Sequence, residues 1–335
     1  MNAMKAGTLN FGWCIALVLL PVVTAFSCLG IGRVPIPAGD ILAVLTGSGA
    51  VSSMTRMTIW NLRLPRILLA ALAGAGLSVA GCGFQSLFSN PLATPDTLGV
   101  ASGASFGAAL GLLLGLPLLG VQAMAMVMGI AAIALTWLAG SGKARAFSSI
   151  VLAGIMMGSL FNALVSLVKF IADEESQLPA ITYWLMGGLQ NVSFETLLWG
   201  APPVLLGIGV LYLLRWRLNL LPLSEDEARA SGVSIAALRA VTVVCATLIT
   251  ASCVSMCGQV GWVGLLIPHM CRMKFGSNHL SLLPASVSIG AAFLIVVDTA
   301  ARSASAQEIP ISILTAIIGA PFFIILMRRS GGWNL

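Results

Sequence analysis

Asp298 and Arg302 stand four residues apart in an otherwise apolar stretch, the spacing at which two side chains share one helical face. A carboxylate there can hold a structural salt bridge or, if released, carry a proton across an apolar barrier; the ion pair is the expectation. His269 follows Pro268 at a break in another apolar run. No second His or carboxylate shares its face, so a hydrogen-bonded structural role is expected ahead of metal ligation. Neither of the two histidines has a nucleophile motif nearby, and no carboxylate pair is spaced for hydrolysis. Residues 139–144 (AGSGKA) look like half of a phosphate loop. Trp137 occupies the position of its first glycine and Ala144 that of the hydroxyl residue after Lys143, so the chain is not expected to bind ATP. Seven cysteines, none in a C-x-x-C pair, lie in or beside apolar segments and read as small core residues rather than ligands or disulfides. No catalytic residue, metal site or resident cofactor is therefore expected.

These residues are positioned by bilayer-grade sequence. Hydrophobic residues make up 58% of the 335 and charged residues 8%, with a mean hydropathy of +1.01. A soluble domain carries about 25% charged residues. The chain reads as an all-α polytopic membrane protein, a single domain over residues 1–335. At about 20 apolar residues per crossing, ten spans are expected: 11–31, 64–86, 98–116, 119–139, 148–171, 194–214, 239–258, 260–273, 281–300 and 311–327. The eighth is short and broken by Pro268. The first follows Lys5 without a convincing cleavage site and is expected to be a retained span.

With the N-terminus inside, internal segments hold eleven of the seventeen Lys and Arg residues, which sets both termini on the cytoplasmic side. The acidic run Asp173–Glu175 then lies outside. The net charge of +6 follows from topology, and no basic domain is left over to bind nucleic acid.

Residues 221–236 form a charged interruption on the cytoplasmic side. Ser224 can cap a helix, Glu227 completes a capping box, Glu225 and Asp226 suit the positive end of the helix dipole, Gly232 supplies a stop and Ser234 can cap the next helix. This is a handle for a soluble partner, or a solvated loop joining two spans. Elsewhere, Gly99, Gly103, Gly107, Gly111 and Gly115 recur every fourth residue and make a flat stripe for close helix packing. The apolar pattern breaks at residues 90–95 (NPLATP) and around Gly258, Gly261, Gly264 and Pro268. Breaks in corresponding places of two halves are the mark of an inverted repeat with a pathway at its interface, here spans two to five against seven to ten.

Six motifs occur in order: Arg63-Leu64-Pro65-Arg66, Asn90-Pro91-Leu92-Ala93, Tyr183 to Gly188 (YWLMGG), Leu221 to Gly232, Gly264 to His269 (GLLIPH) and Gly319 to Phe323 (GAPFF). Together they resemble the FecCD family, the permease subunits of ATP-binding cassette importers for ferric siderophores, haem and cobalamin. The resemblance implies a type II importer permease fold in a bacterial inner membrane, a dimer with itself or a related permease, two cytoplasmic ATPase subunits that carry ATP and magnesium, and a periplasmic substrate-binding protein. It also implies roles. Leu223, Ser224, Glu225, Glu227, Arg229 and Gly232 match the ATPase-coupling segment; Arg63, Arg66 and Arg302 match arginines that dock the binding protein; Asn90, Leu92, Phe147 and Ser148 match pathway constrictions. A proton-coupled secondary transporter working through Asp298 or His269 is the alternative.

Overall fold

A bilayer offers backbone groups no water, so a spanning chain satisfies them within helices. The chain accordingly folds as helices throughout, in a computed structural model that describes residues 9–49, 51–140, 147–223, 227, 232–305 and 307–329, with side chains for all of these except 147, 148 and 326–329. The helices run α1 (Phe11–Gly30), α2 (Ala38–Thr46), α3 (Ser53–Met57), α4 (Leu64–Leu87), α5 (Val100–Leu113), α6 (Leu118–Gly140), α7 (Phe147–Ile171), α8 (Gln177–Leu185), α9 (Phe194–Leu213), α10 (Arg215–Leu218), α11 (Ile235–Cys257), α12 (Val263–Phe275), α13 (His279–Ala304) and α14 (Ile311–Arg329). Seven of the described helical segments are long and apolar enough to cross a membrane, and α5 and α14 are shorter apolar helices. With α12, these occupy the ten positions expected as spans.

The third and eighth spans are short for the same reason. Each follows a long helix across a broken turn: α4 leads through a 3-10 turn (Pro95–Leu98) into α5, and α11 leads through Gly258–Trp262 into α12. Trp262 has φ +70°, a left-handed conformation uncommon for a large side chain. Each short helix is then followed by a long one, α6 or α13, and by a last crossing, α7 or α14. The second half thus repeats the element order of the first.

The core forms around α4, whose residues are nearly all buried, against α9, α11, α12 and α13. Glycines set its closest approaches. A Cβ at Gly74 would meet the carbonyl of Gly290 in α13, and one at Gly81 would meet that of Gly264 in α12. The every-fourth glycine stripe divides into two jobs. Gly103, Gly107 and Gly111 let α5 lie against α6, where a Cβ would collide with the Met128 backbone, the Met124 backbone and the Val121 Cα respectively. Gly99 and Gly115 instead occupy left-handed turns at φ +77° and +67°, which start and end the helix.

Six cysteines are buried and Cys14 is exposed on α1, so the core reading fails for that one. The histidine reading changes too. The ring of His269 lies 5.5 Å from that of Phe323, while its Nδ1 is buried without a hydrogen-bond partner among the described residues.

Candidate translocation pathway and its two ends

A cavity of about 460 Å³ opens beside the two broken turns. Thr94 and Asp96 come from the 3-10 turn, Ser102 from α5, Asn162 from α7, and Gln259 and Trp262 from the turn before α12. The polar lining has a local cause: broken turns in an apolar bundle are tolerable where their polar groups face protein or a water-filled cavity. Gln259 is also fixed, its Nε2 donating to Ser105 Oγ at 2.9 Å.

The motifs build the walls. In YWLMGG, Gly188 N donates to Cys257 O at 2.9 Å, Ile311 N donates to Gly187 O at 3.1 Å, and Ser312 Oγ donates to Met186 O at 2.5 Å. The segment therefore stitches α11 to the start of α14. In GAPFF, Gly319 leaves room for the Trp262 indole, whose ring carbons would lie within 2.9 Å of any added Cβ. In the NPLA turn, Asn90 N donates to Gln85 O at 3.1 Å, and Asn90 Oδ1 accepts from Leu92 N at 2.9 Å. Asn90 and Leu92 are both exposed, on a turn only a few residues from the cavity. Phe147 and Ser148 begin α7, but their side chains lie outside those described.

At one end of the bundle the three arginines expected to face outward turn inward; Arg63, Arg66 and Arg302 are only 6, 9 and 8% exposed. Arg63 donates to the carbonyls of Leu29 and Val34 (2.5 Å each), and Arg302 donates to Cys28 O at 2.5 Å. Leu29 and Cys28 belong to the last turn of α1, whose carbonyls lack helical partners and whose dipole is negative. Two guanidiniums thus cap one helix. A π turn (Thr58–Arg63) carries Arg63 into place, and its cause is Pro65, which has no N–H to donate and crowds the Asn61 carbonyl four residues back.

Arg66 grips Asp298. Its Nε lies 2.8 and 2.9 Å from the two carboxylate oxygens and its Nη2 2.8 Å from Oδ1, while Nη1 reaches Glu308 Oε2 at 2.7 Å. The expected partner, Arg302, is 3.9 Å away through Nε. The expected Asp298–Arg302 ion pair is thus present but long, and the closer hold on the carboxylate is a fork from α4, whose planar guanidinium geometry matches carboxylate. These arginines are occupied inside the chain rather than presented as free forks.

Of the segment expected to couple to an ATPase, Leu223 and Gly232 are its described ends, with Gly232 at φ +71°, and Ser234 accepts from Ala237 N to cap α11. Glu227 is helical and exposed; Ser224, Glu225 and Arg229 lie outside the described residues. Before this segment, Leu218 and Leu221 are buried and anchor it to the bundle.

The FecCD transport family model matches residues 19–329. The chain belongs to this family. It is 42% identical over 324 residues to the molybdate import system permease protein MolB of Haemophilus influenzae, covering 95% of this chain and 96% of that one. It is 36% identical to the vitamin B12 import system permease protein BtuC of Klebsiella pneumoniae, covering 96 and 94%, and 32% identical to the Fe(3+) dicitrate transport system permease protein FecC of Escherichia coli, covering 99 and 100%. A solved inward-facing conformation of a putative metal-chelate type ABC transporter superposes with a TM-score of 0.86 at 41% identity, covering 95 and 99%. PsaBC from Streptococcus pneumoniae shares the fold at a TM-score of 0.60 and 18% identity. This FecCD chain is the permease subunit of an ATP-binding cassette importer.

Proposed function

We propose that this permease works as one half of a dimer, with itself or a related permease, in a bacterial inner membrane. Its cargo passes inward between the two halves beside the cavity at the broken turns. The observation that carries this reading is that cavity, roomy, polar and placed at corresponding breaks of the two halves. Among the described residues its lining has one carboxylate, Asp96, with hydroxyls and amides interspersed among apolar side chains, and no Lys, Arg or His. Such a surface suits a bulky chelate, an iron–siderophore, haem or cobalamin-like ligand, that must slide without sticking. Molybdate, the cargo named for one relative, is the small-anion alternative.

The segment around Leu223 to Gly232, with Ser224, Glu225, Glu227 and Arg229, faces the cytoplasm in this reading and meets one of two ATPase subunits, which supply ATP and magnesium. A periplasmic binding protein docks at the opposite end. There Arg63, Arg66 and Arg302 act from beneath the surface: three guanidiniums against the carboxylates of Asp298 and Glu308 leave an excess positive charge under the rim. Asn90 and Leu92, with Phe147 and Ser148, narrow the pathway toward the cytoplasm.

A proton-coupled mechanism is disfavoured by Asp298, whose oxygens are both held by Arg66. The deciding experiment reconstitutes the permease with its co-purifying ATPase and binding protein in liposomes. Uptake is then measured for ferric siderophores, haem, cobalamin and molybdate, with ATP and no proton gradient, then with the gradient and no ATP. ATP-dependent uptake of a chelate is expected; uptake driven by the gradient alone would overturn the reading.

A further inference from the structure

Where the coupling arm joins the bundle, three helices meet through a buried set of polar side chains that the pathway does not use. His279 is 5% exposed at the start of α13. Its Nδ1 lies 2.9 Å from Asn219 Oδ1 and its Nε2 2.6 Å from Ser86 Oγ. Asn219 is in the turn after α10, two residues before Leu221; Ser86 is in the last turn of α4, four residues before Asn90.

Backbone donors fix the orientation of this network. The His279 N–H donates to Asn219 Oδ1 at 3.0 Å, and the Leu280 N–H donates to Asn278 Oδ1 at 3.0 Å. A backbone N–H can only donate, so both atoms are oxygens. Asn219 Nδ2 then donates to Asn278 Oδ1, also at 3.0 Å. Because Asn219 Oδ1 can only accept, the His279 proton sits on Nδ1, and Nε2 is left as an acceptor. The Ser86 hydroxyl has one proton to give. Nε2 takes it as the shorter of two contacts, the other being Cys82 O at 3.0 Å.

We infer that His279 is a positioning residue that carries displacement of the coupling arm to the Asn90–Leu92 turn. This rests on the coupling reading above. The arm pulls on Asn219, Asn219 holds the imidazole through Nδ1, and Nε2 holds the end of α4, from which Gln85 O accepts the Asn90 N–H. The Ser86–His279 link is buried and the Asn219 links are half-buried; an unmade bond is costly where water is excluded, so the elements shift together rather than slip. The α13 cap belongs to the same unit, since Asn278 bonds both Asn219 and Leu280.

The test uses the permease–ATPase complex in lipid nanodiscs, with Leu92→Cys spin-labelled in a Cys14→Ser background and the label-to-label distance across the dimer read by pulsed electron resonance. ATP with magnesium is expected to change that distance in the parent. In His279→Ala the change should fall by more than half while ATP hydrolysis stays within about twofold of the parent. Ser86→Ala, which deletes one hydroxyl, should show the same loss, and combining it with His279→Ala should add nothing further, the signature of residues acting as one unit. His279→Gln, whose amide reaches toward Ser86, should restore part of the change. A role in folding alone would lower thermal stability in all variants and leave the distance change per ATP intact, and that result overturns the inference. A parent with no ATP-dependent change would instead overturn the coupling reading beneath it.

Discussion

Asp298 is fully buried in a protein whose interior must exclude charge, and Arg66 is what makes it tolerable. Removing one partner of a buried pair leaves the other uncompensated, a loss of about 3–5 kcal/mol. Arg66→Leu should therefore lower the thermal midpoint of the detergent-purified permease markedly, as followed by size-exclusion chromatography after heating. Arg66→Leu combined with Asp298→Leu should cost less than the two single changes summed. A midpoint equal to the parent's in Arg66→Leu would show that Arg302 takes over the carboxylate. The spacing of Asp298 and Arg302 made an ion pair legible in the sequence, but the partner that holds it is 232 residues away, and no local pattern reports such a contact. Arg63, Arg66 and Arg302 were legible as a group and misleading in direction. Arginines at a helix's last turn satisfy its carbonyls, a demand that appears only once α1 is placed beside them.

At the scale of elements, apolar runs near 20 residues located all ten crossings, because the bilayer imposes length and composition together. The seventh span begins at Ile235 rather than 239 and the ninth runs to Ala304 rather than 300, both longer than expected, while the helices after the breaks are shorter. The third span begins at Val100 rather than 98 and the eighth at Val263 rather than 260, since the preceding turns carry apolar residues that face a cavity. The short helices α2 and α8 and the π turn before α4 carry no periodic signal long enough to read. The glycine stripe was legible as a packing face in its central three members. Gly107→Leu should push α5 from α6 through the Met124 backbone, which cannot yield, and the yield of monodisperse protein should fall steeply. Gly209→Ala is the control. It lies within α9 with no neighbour inside 4 Å of a Cβ, and it should be neutral or stabilise by up to about 1 kcal/mol through helix propensity. Equal loss in both variants would mean that glycine content, and not the α5–α6 contact, limits folding.

For the whole molecule, the distribution of Lys and Arg predicts an orientation, and an even number of crossings would put the proposed coupling segment and both chain ends on one side. Glu174 lies in the exposed turn between α7 and α8, and Glu227 is exposed between α10 and α11; the expected orientation would put them on opposite faces of the membrane. With Cys14 replaced by Ser and the other cysteines buried, Glu174→Cys should react with a membrane-impermeant maleimide in cells with a permeabilised outer membrane, and Glu227→Cys only after the inner membrane is opened. The reverse pattern would invert the transporter and remove the coupling assignment with it. Given that orientation, the arm transmits force only if it is stiff. Ala228 follows Glu227 in the middle of the segment that its capping residues mark as a helix, and proline there removes a helical hydrogen bond at about 3 kcal/mol. Ala228→Pro should leave the permease folded, because it falls in the charged interruption between two apolar runs of the sequence, while ATP-driven uptake collapses and the permease loses its ATPase on a sizing column or hydrolyses ATP without transport. Uptake and ATPase retention both equal to the parent's would show that the segment is a solvated loop and that the drive enters the bundle elsewhere.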